Sequence, residues 1–439
     1  AKDKGTVDHI VLDDLYVHDV DGNVINKHMA NGGIYFIVEK PTDENATGAS
    51  KFNDLTIENC SVVTTNRWGI AAAYTYAWAQ LNSAHLNEAA LEKYASSNVT
   101  IQNNYIKAAG GDAITTMYVD QPLVQYNVAE DCSRQMNPTD YPSGWQRVAA
   151  GIWPWKCKDS VFQYNECYNN QYAYHGNGDG QAWDADWTDG TLYQYNYSHG
   201  NSRGAIMFCG AEAVNTTFRY NISENELTGP LDLPGNPDAH IYNNTFYMNE
   251  NIKSIFDRTG GNAVLENNIF YYGGSTPLNQ NWYPGGTLQY DNNLYYNFAN
   301  TPSGDKNAVV VNAGTKVLED AGSGPSSNTS GIAYIKENAS VFDGYKLAED
   351  SPAINAGKVI TDNNGYDLEH DFFGHALTDI PEIGAAESDY VTVTATSNVY
   401  NVANDQISGL AKHTTVKELL KNLKIDSNAQ VTVKSGDKV

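Results

Sequence analysis

One asparagine-centred pattern recurs along most of the chain and constrains the fold more than any other feature. In segments such as "LTIENCSV", "TLYQYNYS" and "VLENNIFY", a short alternating strand is followed by asparagine and then by a second short strand. The last four intervals are 25, 23, 24 and 25 residues (221−196, 244−221, 268−244 and 293−268). Repetition at this period indicates a solenoid, and the units contain strands without helical periodicity. We therefore expect an all-β, right-handed parallel β-helix of single-stranded coils. The repeated asparagines are Asn59, Asn104, Asn127, Asn165, Asn196, Asn221, Asn244, Asn268 and Asn293.

A second family of strands falls between the asparagine repeats and predicts which side chains face outward. Its members include "GIWPWKC", "QAWDADW", "GAIMFCG" and "GPLDLPG", which align on their glycines. Side chains alternate between the two faces of a strand, and this alignment places Trp183 and Ala185 inward. Asp184 and Asp186 are then expected to point outward from one shared face.

The chain divides into a long repetitive part and a short end. Residues 1–387 are predicted to form the β-helix, with coils to about 300 and an irregular closing segment over 301–387 that contains "SPAINAG", "DFFGH" and "IGAAE". Two insertions between coils, the helical "SAHLNEAALEKYA" and the loop "SRQMNPTDYPSGWQR", are expected to flank a binding groove. Residues 390–439 suggest a small α+β accessory module that stops abruptly, as if truncated. The start at Ala1 suggests a trimmed segment of a longer protein.

Charge and composition exclude several classes of partner. Acidic residues outnumber basic ones 52 to 27, and the net charge of −25 disfavours nucleic acid and acidic polysaccharides. A neutral partner fits better. No run of about 18 apolar residues is present, so no membrane span is expected. The five cysteines are odd in number and form no CxxC pair, which favours buried thiols over disulfides or a zinc site.

The densest acidic cluster is "HGNGDGQAWDADWTDG", which contains Asp179, Asp184 and Asp186. Positions i and i+2 of a strand place the Cβ atoms of Asp184 and Asp186 ~6–7 Å apart. Carboxylates this close cannot all ionise comfortably, so one is expected to keep its proton. Glycoside hydrolysis needs that arrangement, with one protonated and one ionised carboxyl. Two alternatives stay open, a calcium-binding loop and a turn-rich surface patch.

Further side chains are candidates for binding substrate around this cluster. Aromatic faces suit sugar rings, and Lys156 is expected to stack next to Asp186 and keep it ionised. Each candidate has a structural alternative: core packing for the tryptophans, a solvated or core role for a lone histidine, turn capping for Asp112, and a surface ion pair for Arg203 and Asp232. The candidates are His175, Gln181, Asp184, Trp153, Trp155, Trp187, Asp112, Lys156, Arg203 and Asp232.

The asparagine coils and the closing segment resemble secreted β-helix carbohydrate-active enzymes, and "DGQAWDAD" is similar to glycoside hydrolase family 136, the lacto-N-biosidases of gut bacteria. The resemblance implies retaining release of lacto-N-biose (Galβ1-3GlcNAc) from lacto-N-tetraose without a required cofactor. It implies that Asp179 is the acid/base and that Asp186, seven residues later (186−179), is the nucleophile. Asp184 would bind a hydroxyl or support the pair. The C-terminal "VYNVANDQISGLAKHTTVKELL" resembles an accessory module of Gram-positive surface proteins, which implies a secreted or cell-attached protein. The family also implies an N-terminal partner domain or subunit.

Three other functions remain compatible with these residues. A polysaccharide lyase would act on uronates and release an unsaturated product that absorbs ultraviolet light, although an acidic groove disfavours uronates. Another β-helix glycosidase would share the mechanism with a different glycan. A cell-surface adhesin would bind glycan without releasing reducing ends.

Overall fold

Two units make up the chain, Ala1–Glu387 and Ser388–Val439. The structure is a computed structural model. It describes residues 1–22, 31–81, 88–135, 148–171, 179–325, 339–361, 364–365, 368–388, 395–403 and 406–425.

The first unit is built from three long sheets that the chain visits in turn, so that each coil adds a strand to the stack. Neighbouring strands within these sheets are parallel. The all-β prediction is confirmed, and the arrangement is consistent with a β-solenoid. The first sheet contains Thr6–Asp13, Lys51–Glu58, Ser96–Gln102, Val119–Asp120, Leu123–Gln125, Lys158–Gln163, Asp189–Gln194, Thr217–Arg219, His240–Tyr242, Ala263–Glu266 and Leu288–Asp291.

The other two sheets complete each coil. The second sheet contains Tyr16–Val20, Ser61–Thr65, Tyr105–Ala109, Val128–Glu130, Glu166–Tyr168, Tyr197–His199, Ile222–Glu224, Thr245–Met248, Ile269–Tyr272, Leu294–Tyr296 and Val309–Val311. The third sheet contains Gly32–Val38, Trp68–Thr75, Ile114–Met117, Ile152–Trp155, Trp183–Asp186, Ile206–Cys209 and Leu231–Asp232. Helical segments of this unit are Glu44–Thr47, Trp78–Leu81, Glu88–Tyr94 and the 3₁₀ segment Ala339–Tyr345, the third of which lies in the insertion predicted to be helical.

Buried asparagines form a continuous hydrogen-bonded ladder between the first and second sheets. The Oδ1 atom of Asn196 accepts from the backbone N–H of Asn165 at 2.9 Å and from its Nδ2 at 3.1 Å. The same pattern continues from Asn196 to Asn221 at 2.9 and 3.0 Å, and it ends where Asn293 donates to Asp305. Each rung thus satisfies polar groups that burial would otherwise leave unpaired.

The first repeat departs from this ladder by one residue. Asn59 is exposed and has a positive φ of 55°, whereas Cys60 occupies the ladder position and donates its N–H to Asn104 at 2.9 Å. Asparagine tolerates the left-handed conformation at such a corner. The assignment of Asn59 to the ladder is therefore wrong, because the sequence pattern does not distinguish the corner from the adjacent inward position.

Described residues between 301 and 387 pack along the outer face of the second sheet. Phe342, Leu347 and Ile383 form an apolar cluster with outward side chains of that sheet, among them Ile222 and Ile269. The strands from Tyr197–His199 to Leu294–Tyr296 are therefore buried on both faces, which matches their apolar side chains.

The described part of the second unit is small. Ala395–Thr396 pairs antiparallel with Lys424–Ile425, and Asn401–Ala403 pairs antiparallel with Gln406–Ser408. The helix Val416–Lys421 begins with a capping box between Thr415 and Glu418. Across the described residues of both units, no helix is long and apolar enough to cross a membrane.

Candidate active site

The strand Trp183–Asp186 of the third sheet carries the acidic cluster. Trp183 and Ala185 are fully buried in the core, as the alternation predicts. Asp184 and Asp186 lie on the opposite face, where their carboxylate oxygens and the Sγ atom of Cys209 come within 4.8 Å of one another. Strand alternation thus brings two carboxyl groups together on the outward face of the third sheet, where Asp184 is buried and Asp186 is partly exposed.

Parallel register extends this face along the solenoid axis. Asp186 pairs with Trp155 on one side and with Cys209 on the other. Asp184 pairs with Met207, which in turn pairs with Asp232. Side chains at paired positions of parallel strands are neighbours, so these residues form two rows along the solenoid axis. One row contains Trp155, Asp186 and Cys209, and the other contains Asp184, Met207 and Asp232.

Asp179 enters the same site from the turn before the strand. Its side chain is 12% exposed, and its Oδ1 atom lies 3.4 Å from Nη2 of Arg258. Burial raises the pKa of the Cys209 thiol well above its usual range, with further contributions from the negative charges of Asp186, Asp184 and Asp179. Asp184 and Asp186 therefore lie beside this thiol, and Asp179 is near enough for its charge to contribute.

Lys156 supplies a buried positive charge beside this centre. Its Nζ atom lies 2.9 Å from the centroid of the Trp187 ring. Burial lowers the pKa of Lys156 to about 8, while Asp186 and Glu212 oppose that shift. The predicted stacking of Lys156 on Asp186 is off by one position, because Trp155 is the strand partner of Asp186 and Lys156 follows it.

Asp112 and Trp153 do not line a groove, which corrects their prediction as substrate-binding residues. Asp112 is fully buried, pairs with the buried Arg67 at 2.8 Å, and accepts a hydrogen bond from Nε1 of Trp153 at 3.0 Å. Trp153 itself is 1% exposed. The pair stabilises packing between coils, since neither side chain has surface left for a sugar.

Gln181, Asp232 and Arg203 require a similar correction. Gln181 and Asp232 are fully buried and bond to each other, with Nε2 to Oδ2 at 2.5 Å. Arg203 pairs with Asp257 at 2.7 Å, and both side chains are mostly buried. These groups contact protein atoms in this structure and form a layer behind the site. His175 lies outside the described residues.

Two aromatic side chains near Asp186 keep part of their surface exposed. Trp155 and Trp187 are half-buried, and Trp155 stacks on Tyr74 with ring centroids 6.3 Å apart and an interplanar angle of 24°. Tyr118 packs against Trp155 at 5.7 Å. These rings form an aromatic wall next to the carboxyl groups, where sugar rings commonly bind.

Sequence reasoning missed two members of the site. Cys209 was detectable, because aligning "QAWDADW" with "GAIMFCG" puts it level with Asp186, yet the thiol was interpreted only as a core residue. Arg258 follows the isolated bridge residue Phe256 and lies outside the regular strands. A pattern of repeated strands therefore contains no signal for Arg258.

The donor set does not fit the calcium alternative at the paired aspartates. Among the described residues, Asp184, Asp186 and Cys209 form the cluster with metal-binding spacing. Calcium prefers six to eight oxygen ligands. The third donor here is a thiol, a soft ligand that does not suit calcium.

Comparison with known proteins finds lacto-N-biosidases that are similar to the chain, although no family model matches it. It is 46% identical over 467 aligned positions to the lacto-N-biosidase of Bifidobacterium longum subsp. longum, covering 99% of this chain and 29% of that protein. Two crystal structures of a GH136 lacto-N-biosidase from Eubacterium ramulus, native and selenomethionine, match with TM-scores of 0.58 and 0.57 and identities of 43% and 42%. Both matches cover 62% of this chain and 44% of theirs, so the chain spans less than half the length of these relatives. On this similarity, the chain belongs to glycoside hydrolase family 136.

Proposed function

We propose that the protein carrying this chain is a retaining β-glycosidase that releases lacto-N-biose from lacto-N-tetraose. The observation that carries the proposal is the close pair of Asp184 and Asp186 on the outer face of the third sheet, with Asp179 entering from the preceding turn and contacting Arg258. The similarity to lacto-N-biosidases over 99% of the chain supports the choice of glycan. We further propose that the coils wind right-handed as a single-stranded β-helix, the hand favoured for parallel crossovers.

In the proposed mechanism, Asp186 is the nucleophile and Asp179 is the acid/base. A carboxylate oxygen of Asp186 attacks the anomeric carbon while the glycosidic bond breaks, and Asp179 transfers its proton to the leaving oxygen. Asp179 then accepts a proton from water, which attacks the anomeric carbon and displaces Asp186. Proton and charge balance over the two steps, and the β configuration is retained.

The charge balance of the site supports one protonated carboxyl group. Among the described residues, six acidic side chains lie in or beside the site with three basic ones, which leaves an excess of three negative charges if all ionise (6 − 3). A crowded negative cluster in a partly buried site favours proton uptake by one member. The acidic members are Asp179, Asp184, Asp186, Glu212, Asp232 and Asp257, and the basic members are Lys156, Arg203 and Arg258.

Asp184 is assigned a supporting role. Its carboxylate lies within 4.8 Å of that of Asp186, whereas an inverting pair is typically about 6.5–9.5 Å apart to admit water. Asp184 and Asp186 are therefore too close to act as the acid and base of an inverting mechanism, which supports a role for Asp184 outside the catalytic pair. Asp184 is 3% exposed, which corrects its prediction as a hydroxyl-binding residue, and it would instead add negative charge next to the developing oxocarbenium ion. Trp155 and Trp187 would contact the sugar rings.

The proposed chemistry requires no cofactor, because side chains supply both the nucleophile and the proton. A structural calcium ion elsewhere in the protein is compatible with this proposal. By the same family resemblance, we infer that the protein is secreted or attached to the surface of a Gram-positive-type bacterium and works with an N-terminal partner domain or subunit. Its partner would be a neutral oligosaccharide that contains Galβ1-3GlcNAc.

The test is incubation of the full protein with lacto-N-tetraose, with products separated by chromatography and the first-formed anomer read by NMR. We expect lacto-N-biose in the β configuration, and loss of turnover in Asp186→Asn with nearly unchanged thermal melting. An α product would reject retention, and full activity of the variant would reject the nucleophile. An ultraviolet-absorbing unsaturated product would indicate a lyase. Glycan binding without new reducing ends would indicate an adhesin.

A further inference from the structure

A buried carboxylate two coils away connects to the turn that carries Asp179. Asp232 lies in the same row as Asp184, separated from it by Met207, and is fully buried. Its two oxygens accept hydrogen bonds from Nε of Arg258, both at 2.9 Å, and Oδ2 accepts from Nη2 at 2.5 Å. Oδ2 also accepts from Nε2 of Gln181 at 2.5 Å. Asp232 therefore holds two different side chains at once.

Both of these side chains reach the turn at Asp179. Gln181 follows Asp179 by two residues, and its Oε1 atom accepts the backbone N–H of Gly180 at 3.0 Å. The Nη2 atom of Arg258 lies 3.4 Å from the Asp179 carboxylate. One side chain thus fixes the backbone of the turn and the other contacts the carboxyl group itself.

The burial of Asp232 separates this role from substrate binding. A side chain with no exposed surface does not contact a sugar in the groove. Charge-assisted hydrogen bonds to a buried carboxylate are short and directional, so they restrict the rotamers of both donors. A catalytic group needs such support, because small displacements from the productive geometry reduce the rate strongly.

We propose that Asp232 is a positioning residue that orients Asp179 for proton transfer by way of Gln181 and Arg258. The inference rests on the proposed role of Asp179 as acid/base. It predicts that loss of Asp232 impairs protonation of the leaving group more than attack by Asp186, since Asp186 is held by its own strand.

Two substrates separate these steps. The lactose leaving group of lacto-N-tetraose needs a proton, whereas p-nitrophenolate leaves without one. The constant kcat/KM reports the steps up to departure of the leaving group, so it is sensitive to this difference. We expect Asp232→Asn to lower kcat/KM about 100-fold on lacto-N-tetraose and less than ~3-fold on p-nitrophenyl β-lacto-N-bioside. Asp179→Asn should likewise lower kcat/KM much more on lacto-N-tetraose than on the p-nitrophenyl substrate. The difference measured in this variant is the largest that loss of the acid can produce.

Asp112→Asn is the matched control, because Asp112 is also a fully buried carboxylate of an Arg–Asp pair. It should lower thermal stability while changing both kcat/KM values by the same factor. Equal losses on both substrates in Asp232→Asn would mean a merely structural role and would overturn the inference. If Asp232→Asn does not fold, Arg258→Met at the partly exposed Arg258 provides the same comparison, and Arg258→Lys should restore part of the difference.

Failure of the inference is distinguishable from failure of the proposed function. If Asp179→Asn discriminates between the substrates and the Asp232 and Arg258 variants do not, only the positioning role is wrong. If Asp179→Asn itself lowers kcat/KM equally on both substrates, Asp179 is not the acid. The catalytic role of Asp179 and the positioning role of Asp232 are then both wrong.

Discussion

Replacement of Lys156 by methionine should make the protein more stable and less active. Lys156 is almost fully buried, and its ammonium group lies over the Trp187 ring next to Asp186. Methionine has a similar length and carries no charge, so the variant removes the buried cation while keeping most of the packing.

The size of the effect follows from the pKa of Lys156. Burial lowers this pKa from 10.5 to about 8. At 1.36 kcal/mol per pH unit, the difference corresponds to an upper bound of about 3.4 kcal/mol at pH 7. The contact with the Trp187 ring favours the charged form by roughly 1–2 kcal/mol, which reduces this upper bound. We therefore expect Lys156→Met to raise the free energy of unfolding at pH 7 by about 1–2 kcal/mol.

The contribution of Lys156 to stability changes with pH in the opposite direction to that of a lysine whose pKa is raised by an ion pair. Between pH 8 and 10.5 the unfolded chain keeps a proton on Lys156 that the folded protein has released. Stability of the unchanged protein therefore rises with pH through this window. The variant lacks this contribution, so its advantage should shrink as the pH approaches 10.5.

Urea denaturation at pH 7 and pH 9.5, followed by tryptophan fluorescence, measures both effects. Lys306→Met is the control, because Lys306 is exposed, and it should change the free energy of unfolding by less than about 0.5 kcal/mol. In the active enzyme, Lys156→Met should lower kcat/KM and move the acidic limb of the pH profile to higher pH, since Asp186 loses a nearby cation. A variant less stable than the parent at pH 7, or one with the same pH slope, would refute this reasoning.

Three further predictions concern other buried groups. Asn196→Ala removes the acceptor of two Asn165 donors, so it should lower the free energy of unfolding by about 2–4 kcal/mol in urea denaturation, whereas the exposed control Asn307→Ala should change it little. Burial raises the pKa of Glu226 to about 7. Because the folded state holds this proton more tightly, stability from Glu226 falls as pH rises from 4.5 through 7, and Glu226→Gln should be more stable than the parent at pH 8 but not at pH 4.5. The raised pKa of Cys209 predicts slow alkylation by iodoacetamide at pH 8, measured by mass spectrometry, and rapid labelling would contradict it.

The local pattern of the chain determined the repeat and the faces of its strands. The asparagine spacing predicted stacked strands, and alternation predicted that Trp183 is buried while Asp184 and Asp186 share the opposite face. Both predictions are confirmed because successive side chains of a strand point to opposite faces, so odd and even positions separate directly in the sequence. Alternation does not determine how one strand aligns with the next, however. Asn59 and Lys156 were therefore each placed one position from their true neighbours.

Tertiary structure alone decided which polar side chains reach the site. Gln181 meets Asp232 across 51 residues and Arg258 meets Asp179 across 79, so no local pattern connects them. Burial likewise depends on what covers a side chain: Asp112 lies beneath Trp153 and pairs with Arg67, although its sequence context resembles a surface turn. The physical reason is that strand direction is a property of neighbouring residues, whereas pairing and exposure arise only when distant coils pack together.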